Sequence, residues 1–137
     1  ITRTFESKKQ KGAEVDLSSV FANSVKKVVR TVILDQKDHL EVTDRLETGD
    51  KEAAVSWIMV TPAEAKITGK NRMELTKDGQ RMLFTVDADT EVEMKTWSNV
   101  PPHEYDFRNP GTIRVGFETV IPANRASQLK VRLTPLK

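Results

Sequence analysis

Apolar and polar residues alternate in short runs along most of this chain, and turn-forming residues separate the runs. Residues 28–34 and 53–60 are apolar at neighbouring positions and rich in β-branched side chains. That composition predicts two central strands covered on both faces. Residues 40–46 alternate, with Leu40, Val42 and Leu46 in phase. Three more segments do the same: 90–97 through Val92, Met94 and Thr96, 112–121 through Ile113, Val115, Phe117, Thr119 and Ile121, and 127–134 through Leu129, Val131 and Leu133. A period of two places one face of each strand against a core. Shorter strands are expected over 65–68, 72–76 and 80–86, the last two joined by a hairpin at Lys77-Asp78-Gly79. Turns are expected at 35–38 and 48–50, and Pro62 ends the strand before it because it supplies no ladder donor.

The pattern therefore predicts an all-β protein, an antiparallel β-sandwich of about nine strands with no long amphipathic helix between them. One short N-terminal helical turn is expected at Asp16, which can cap it, with Leu17, Val20 and Phe21 at helical spacing. Residues 1–12 are polar, cluster Lys8, Lys9 and Lys11, and are expected to form a flexible N-terminal segment. Residues 13–137 then form a single β-sandwich domain. The chain opens on Ile1 without a signal peptide, as a fragment of a larger chain or a mature form would.

Composition narrows the function classes. The 22 basic and 20 acidic residues are interspersed, which argues against a nucleic-acid surface, since that needs a concentrated basic stripe. No apolar run approaches the ~18 residues of a membrane span, so no membrane partner is expected. The chain has no cysteine, which excludes a thiolate metal site, a disulfide framework and a cysteine nucleophile. Its two histidines, His39 and His103, are far apart and lie in no metal-binding spacing. No serine sits in a nucleophile elbow, and the glycines are single. Neither a metal nor another cofactor is expected.

Two constellations stand out. Asp44 is in phase with Leu40, Val42 and Leu46, so a carboxylate falls on a buried face and needs a partner. One strand register sets Val32 opposite Val42 and Arg30 opposite Asp44, giving a buried structural ion pair. A register shifted by one sets Val29 there instead. The competing role for Asp44 is a general base in a cleft. The second constellation is the loop after Trp97, which carries His103, Tyr105, Phe107 and Arg108 and closes on Asn109-Pro110-Gly111. Aromatic faces beside polar tips suit sugar rings, and Arg suits carboxylates, so Trp97, His103, Tyr105 and Arg108 form a candidate carbohydrate-binding set. The structural alternative has Trp97 and Phe107 filling one end of the sandwich.

Three stretches, in this order, resemble the C-terminal β-sandwich region of the heparinase II/III-like polysaccharide lyases. They are Val15-Asp16-Leu17-Ser18-Ser19-Val20-Phe21 leading to Val28-Val29-Arg30-Thr31-Val32; Leu40-Glu41-Val42-Thr43-Asp44-Arg45-Leu46 followed by Val55-Ser56-Trp57-Ile58-Met59-Val60-Thr61; and the segment 103–118 with the closing strand. The resemblance covers most of residues 13–134. It implies a parent chain in which an N-terminal α/α toroid catalytic domain is the partner of this one. Such enzymes cleave acidic polysaccharides by removing the proton α to a uronate carboxylate, followed by β-elimination. Their catalytic Tyr, His and Asn lie mainly on the toroid. A further histidine and the metal ligands lie on an earlier β region. None of those motifs is present here, so no catalytic residue is carried over. The resemblance implies a non-catalytic module of a lyase, secreted or periplasmic, that lends a loop to acidic polysaccharide. A free-standing carbohydrate-binding module is the alternative.

Overall fold

The computed structural model describes all 137 residues, and the chain forms eleven strands and no helix. They are β1 (Arg3–Glu6), β2 (Gln10–Asp16), β3 (Lys27–Asp35), β4 (Leu40–Glu47), β5 (Ala53–Thr61), β6 (Glu64–Gly69), β7 (Arg72–Lys77), β8 (Gln80–Ala88), β9 (Val92–Ser98), β10 (Ile113–Ile121) and β11 (Ala126–Leu136). Eight strands form one antiparallel sheet in the order β1-β2-β3-β4-β11-β8-β7-β6, and three form a second in the order β5-β10-β9. All nine expected strands are present, within one or two residues of their expected ends.

Two expectations for the N-terminal region are corrected. The expected flexible segment over 1–12 contains β1 and the start of β2, which pair from Arg3↔Glu14 to Glu6↔Lys11. The expected helical turn is instead a run of turns between β2 and β3. Asp16 does accept the Ser18 N–H at 2.8 Å, a cap-like bond. No helix follows it: of the apolar residues at helical spacing only Leu17 packs against the core, while Val20 is 70% and Phe21 45% exposed.

The two sheets pack face to face around 17 buried apolar residues, among which Phe84, Phe117, Met73, Val115 and Val131 are fully buried. Each side chain of that size contributes about 1.5–3 kcal/mol on burial. The inward residues of β4, β10 and β11 are those the alternation selects, Val42 and Leu46, Val115 and Phe117, and Leu129 and Val131. One strand departs from expectation. β5 is not central but lies at the edge of the small sheet, and only Ala53, Val55, Trp57, Met59 and Thr61 turn inward. Its other apolar residues, Ile58 and Val60, are 44% and 48% exposed.

The chain changes sheets at one end of the sandwich through the β4–β5, β8–β9 and β10–β11 connections, and these are tied together. Thr48, only 3% exposed, donates its hydroxyl to the Pro122 carbonyl at 2.6 Å and accepts the Arg125 N–H at 3.0 Å. The Thr119 hydroxyl donates to the Glu91 carbonyl at 2.6 Å. A polar side chain therefore serves the corner backbone groups that no ladder reaches. The opposite end carries the long β9–β10 loop.

β10 and β5 approach unusually closely at Gly116, which pairs with Ile58. Gly116 has φ +157°, and a Cβ there would lie 1.8 Å from the Trp57 carbonyl oxygen. No flexible side chain can yield at that contact, because the neighbour is backbone. Gly116→Ala is therefore expected to cost more than about 3 kcal/mol, since β10 must part from β5. Gly111→Ala, at φ +73° with open space around it, should cost about 1 kcal/mol. Urea unfolding of the two variants checks the ordering, and equal losses would contradict it.

Candidate functional site

The surroundings of the buried carboxylate decide what it can do. β3 and β4 pair in the register that sets Arg30 opposite Asp44. Asp44 is 4% exposed. Arg30 grips it with both arms of its guanidinium, Nε to Oδ1 at 2.7 Å and Nη2 to Oδ2 at 2.7 Å. The Trp57 indole Nε1–H, from the facing sheet, donates to Oδ2 at 3.1 Å. The guanidinium also lies 5.7 Å from the Trp57 ring centroid. Trp57 in turn stacks on Phe117 at 6.1 Å and meets Phe84 edge-on at 5.6 Å. The hydrogen bond to Asp44 holds the Arg30 pKa above its ordinary value, outweighing the desolvation that would lower it.

Three hydrogen bonds from a guanidinium and an indole hold this buried carboxylate, the arrangement of a structural ion pair. Nothing in the geometry favours Asp44 as a general base. The Trp57 contribution is not legible from alternation, which reads the residue only as apolar. The usable signal is that a buried indole needs an acceptor, and Asp44 is the only buried carboxylate in the chain.

The β9–β10 loop, residues 99–112, holds the other candidates. Its base is fixed by polar side chains: Asn99 donates to the Thr112 hydroxyl at 2.7 Å, and that hydroxyl donates to the Asn109 carbonyl at 2.7 Å. Gly111 takes the left-handed conformation that closes the turn, φ +73°. His103 and Tyr105 are brought together, their rings stacked at 4.9 Å and 9°. Tyr105 is 83% exposed. Arg108 is also exposed, and with Asn99, Pro101, His103, Glu104 and Asn109 it lines a shallow depression of about 420 Å³.

Trp97 remains on β9, half-buried on the outer face of the small sheet opposite Arg114. It makes no ring pair with His103 or Tyr105. The alternative in which Trp97 and Phe107 fill the end of the sandwich is corrected: Phe107 is 95% exposed, and the buried aromatics are Trp57, Phe84 and Phe117. Arg114 does not reach into the loop but donates twice to the Ser98 carbonyl, at 3.1 and 2.8 Å, pinning the end of β9.

The histidines lie apart in the chain, His103 in this loop and His39 at the β3–β4 turn, 3.1 Å from the Asp35 carboxylate. The Asp35 carboxyl is held below its usual range, first by the backbone N–H of His39. No group of three or more His, Asp or Glu side chains converges to hold a metal ion. The loop presents stacked rings, a guanidinium and amides, groups whose chemistry can contact polar, ring-containing or acidic molecules.

The Arg30–Asp44 geometry generates an ordering of variant stabilities. Arg30→Met strands a buried carboxylate with only the indole and is expected to cost about 3–5 kcal/mol. Asp44→Leu strands a guanidinium that still reaches solvent, its side chain 37% exposed, and should cost less. The double variant Arg30→Met/Asp44→Leu should recover much of the loss. Denaturant unfolding of the three tests this, and additive losses would contradict it.

No protein-family model and no curated protein matches this chain. Solved structures do match its fold. Heparinase III superposes over 98% of this chain with a TM-score of 0.71 at 14% identity, and the match spans 20% of that chain. A second heparinase III, the BT4657 gene product, gives a TM-score of 0.69 at 13% identity over 99% of this chain and 21% of its own. A mutant of the heparan sulfate lyase HepC from Pedobacter heparinus gives 0.68 at 16% identity over 98% of this chain and 21% of its own. This chain thus spans about a fifth of the length of the structures it matches, and it has the fold of a β domain contained in the heparinase III structures.

Proposed function

We propose that this chain is a non-catalytic β-sandwich module of a heparinase-like polysaccharide lyase. In this reading the parent chain carries an N-terminal α/α toroid that cleaves uronate-containing acidic polysaccharide by β-elimination. The module packs against that toroid and presents the 99–112 loop to the polysaccharide. The observation that carries the proposal is the match over 98% of this chain to one fifth of heparinase III. Proton abstraction beside a carboxylate calls for a positioned base, an acid and a group that neutralises the carboxylate. Asp44 is already bound by three donors, and His39 and His103 sit on separate loops. Export to the periplasm or cell exterior, where such polysaccharides are met, belongs to the same reading.

A second reading, a free-standing carbohydrate-binding module, draws on the exposed His103–Tyr105 stack. Both readings give Tyr105, His103 and Arg108 a role in sugar contact, with Trp97 on the flank.

Two measurements on the 137-residue chain test the proposal. Incubation with heparan sulfate should release no unsaturated uronate product, and robust turnover would overturn the non-catalytic assignment. Titration with heparan sulfate oligosaccharides should show weak binding that falls about tenfold in Tyr105→Ala or Arg108→Ala, as expected for the loss of one stacking or charge-assisted contact. Sub-micromolar binding by the isolated chain would favour the free-standing module.

A further inference from the structure

The 99–112 loop holds two rings in a fixed relation, and one of them can change its charge. The Asp106 N–H donates to the His103 carbonyl at 3.2 Å and closes a four-residue turn. The first and third residues of that turn are His103 and Tyr105, whose rings lie nearly parallel, 4.9 Å apart. Pro101 and Pro102 fix the backbone leading into it, and the Asn99–Thr112–Asn109 bonds brace its base. A phenol face at that distance accepts a neutral imidazole by stacking and an imidazolium by cation–π attraction. The stack therefore holds in both charge states, and a proton on His103 changes the charge of the loop without dismantling it.

His103, Glu104 and Arg108 line the same depression of about 420 Å³. The ion pairs of this chain involve none of the three. With the imidazole neutral, the charges of Arg108 and Glu104 cancel, and the depression has no net attraction for an anion. With the imidazole protonated, the lining carries a net positive charge. An imidazolium and a guanidinium can then both donate to one oxyanion. Few other charges face this group. Asp106 belongs to the same turn but is half-buried and does not line the depression. On the flanking strands, Arg114 of β10 is turned to the Ser98 carbonyl, and Lys95 of β9 is bound to Glu118. Histidine is the side chain whose ordinary pKa, about 6.5, puts such a change near neutral pH.

We propose that this depression is a pH-switched oxyanion site, in which protonation of His103 joins Arg108 in holding a carboxylate or sulfate group of an acidic sugar. The sugar ring stacks on the exposed Tyr105. The direction of the switch follows from linkage. An anion binds the protonated state better, so affinity rises as pH falls through the histidine range, and the complex takes up a proton. Glu104 opposes the anion in both states and keeps the affinity at neutral pH low. The inference rests on the reading of this loop as a polysaccharide contact and adds to it a dependence on pH.

Calorimetric titration of the 137-residue chain with heparan sulfate oligosaccharides, at constant ionic strength, tests it. Affinity should be about fivefold tighter at about pH 5.5 than at about pH 7.5, the scale of one added charge at a solvent-exposed site. His103→Gln should remove that ratio, and His103→Lys should bind at the tighter level at both pH values. His39→Gln, which removes the other histidine, should keep the ratio. Melting curves confirm that each variant is folded. The same ratio with a desulfated oligosaccharide assigns the oxyanion to the uronate carboxylate, and a ratio confined to the sulfated one assigns it to sulfate. Binding that ignores pH, or a pH dependence that survives in His103→Gln, would overturn the inference and leave the polysaccharide contact standing. Absence of binding at both pH values would overturn the two together.

Discussion

Everything in this sandwich is arranged around one buried carboxylate. Asp44 lies on the inner face of the large sheet among Val42, Leu46 and Leu129, where an unpaired charge is not tolerated. Its two oxygens are met from the next strand by Arg30 and from the opposite sheet by Trp57. The first contact fixes the register of β3 on β4, because a slip by one residue would carry Arg30 to the other face. The second fixes how the small sheet sits on the large one, because the indole N–H must reach the same carboxylate. Trp57 then organises the rest of the core by stacking on Phe117 and meeting Phe84 edge-on. Its carbonyl leaves room for nothing larger than glycine at position 116. A polar interaction thus supplies the specificity that apolar contacts alone do not, and the apolar contacts supply most of the stability.

Much of this is legible in the sequence because its cause is local. Asp44 falls in the same phase as Leu40, Val42 and Leu46, and a period of two has no other place to put it. Each of the four alternating segments becomes a strand for the same reason. The failures are equally physical. β2 reads as polar because its inner face is only partly covered, so Ala13 and Val15 send a weak signal between Lys11 and Asp16. β5 reads as central because it is apolar on both faces, yet a sheet of three strands leaves it at an edge. Leu17, Val20 and Phe21 have helical spacing, but only Leu17 meets the core, so their shared face does not hold a helix together. The phase of Val92, Met94 and Thr96 already sets Trp97 on the outer face, whereas Phe107 sits in a loop whose closure alternation does not encode.

The same architecture separates the parts of the molecule by task. One end, where Thr48 joins the crossovers, is stitched by hydrogen bonds between side chains and corner backbone groups. The other end carries the 99–112 loop, with its exposed His103–Tyr105 stack above a braced base. Between them runs the bare edge of β5. A polar aromatic loop and an uncharged strand edge thus lie on separate parts of the sandwich.

The two tryptophans provide the most direct test of this account, because each indole N–H gives its own signal in a nitrogen-15 NMR spectrum. The Trp57 Nε1–H is buried and bonded to Asp44, whereas Trp97 is half-exposed on the outer face. The Trp57 indole proton is expected to exchange with solvent only through global unfolding, at the free energy measured by denaturant, while that of Trp97 exchanges orders of magnitude faster. Comparable fast exchange of both protons would contradict the central place given to the Asp44–Arg30–Trp57 cluster.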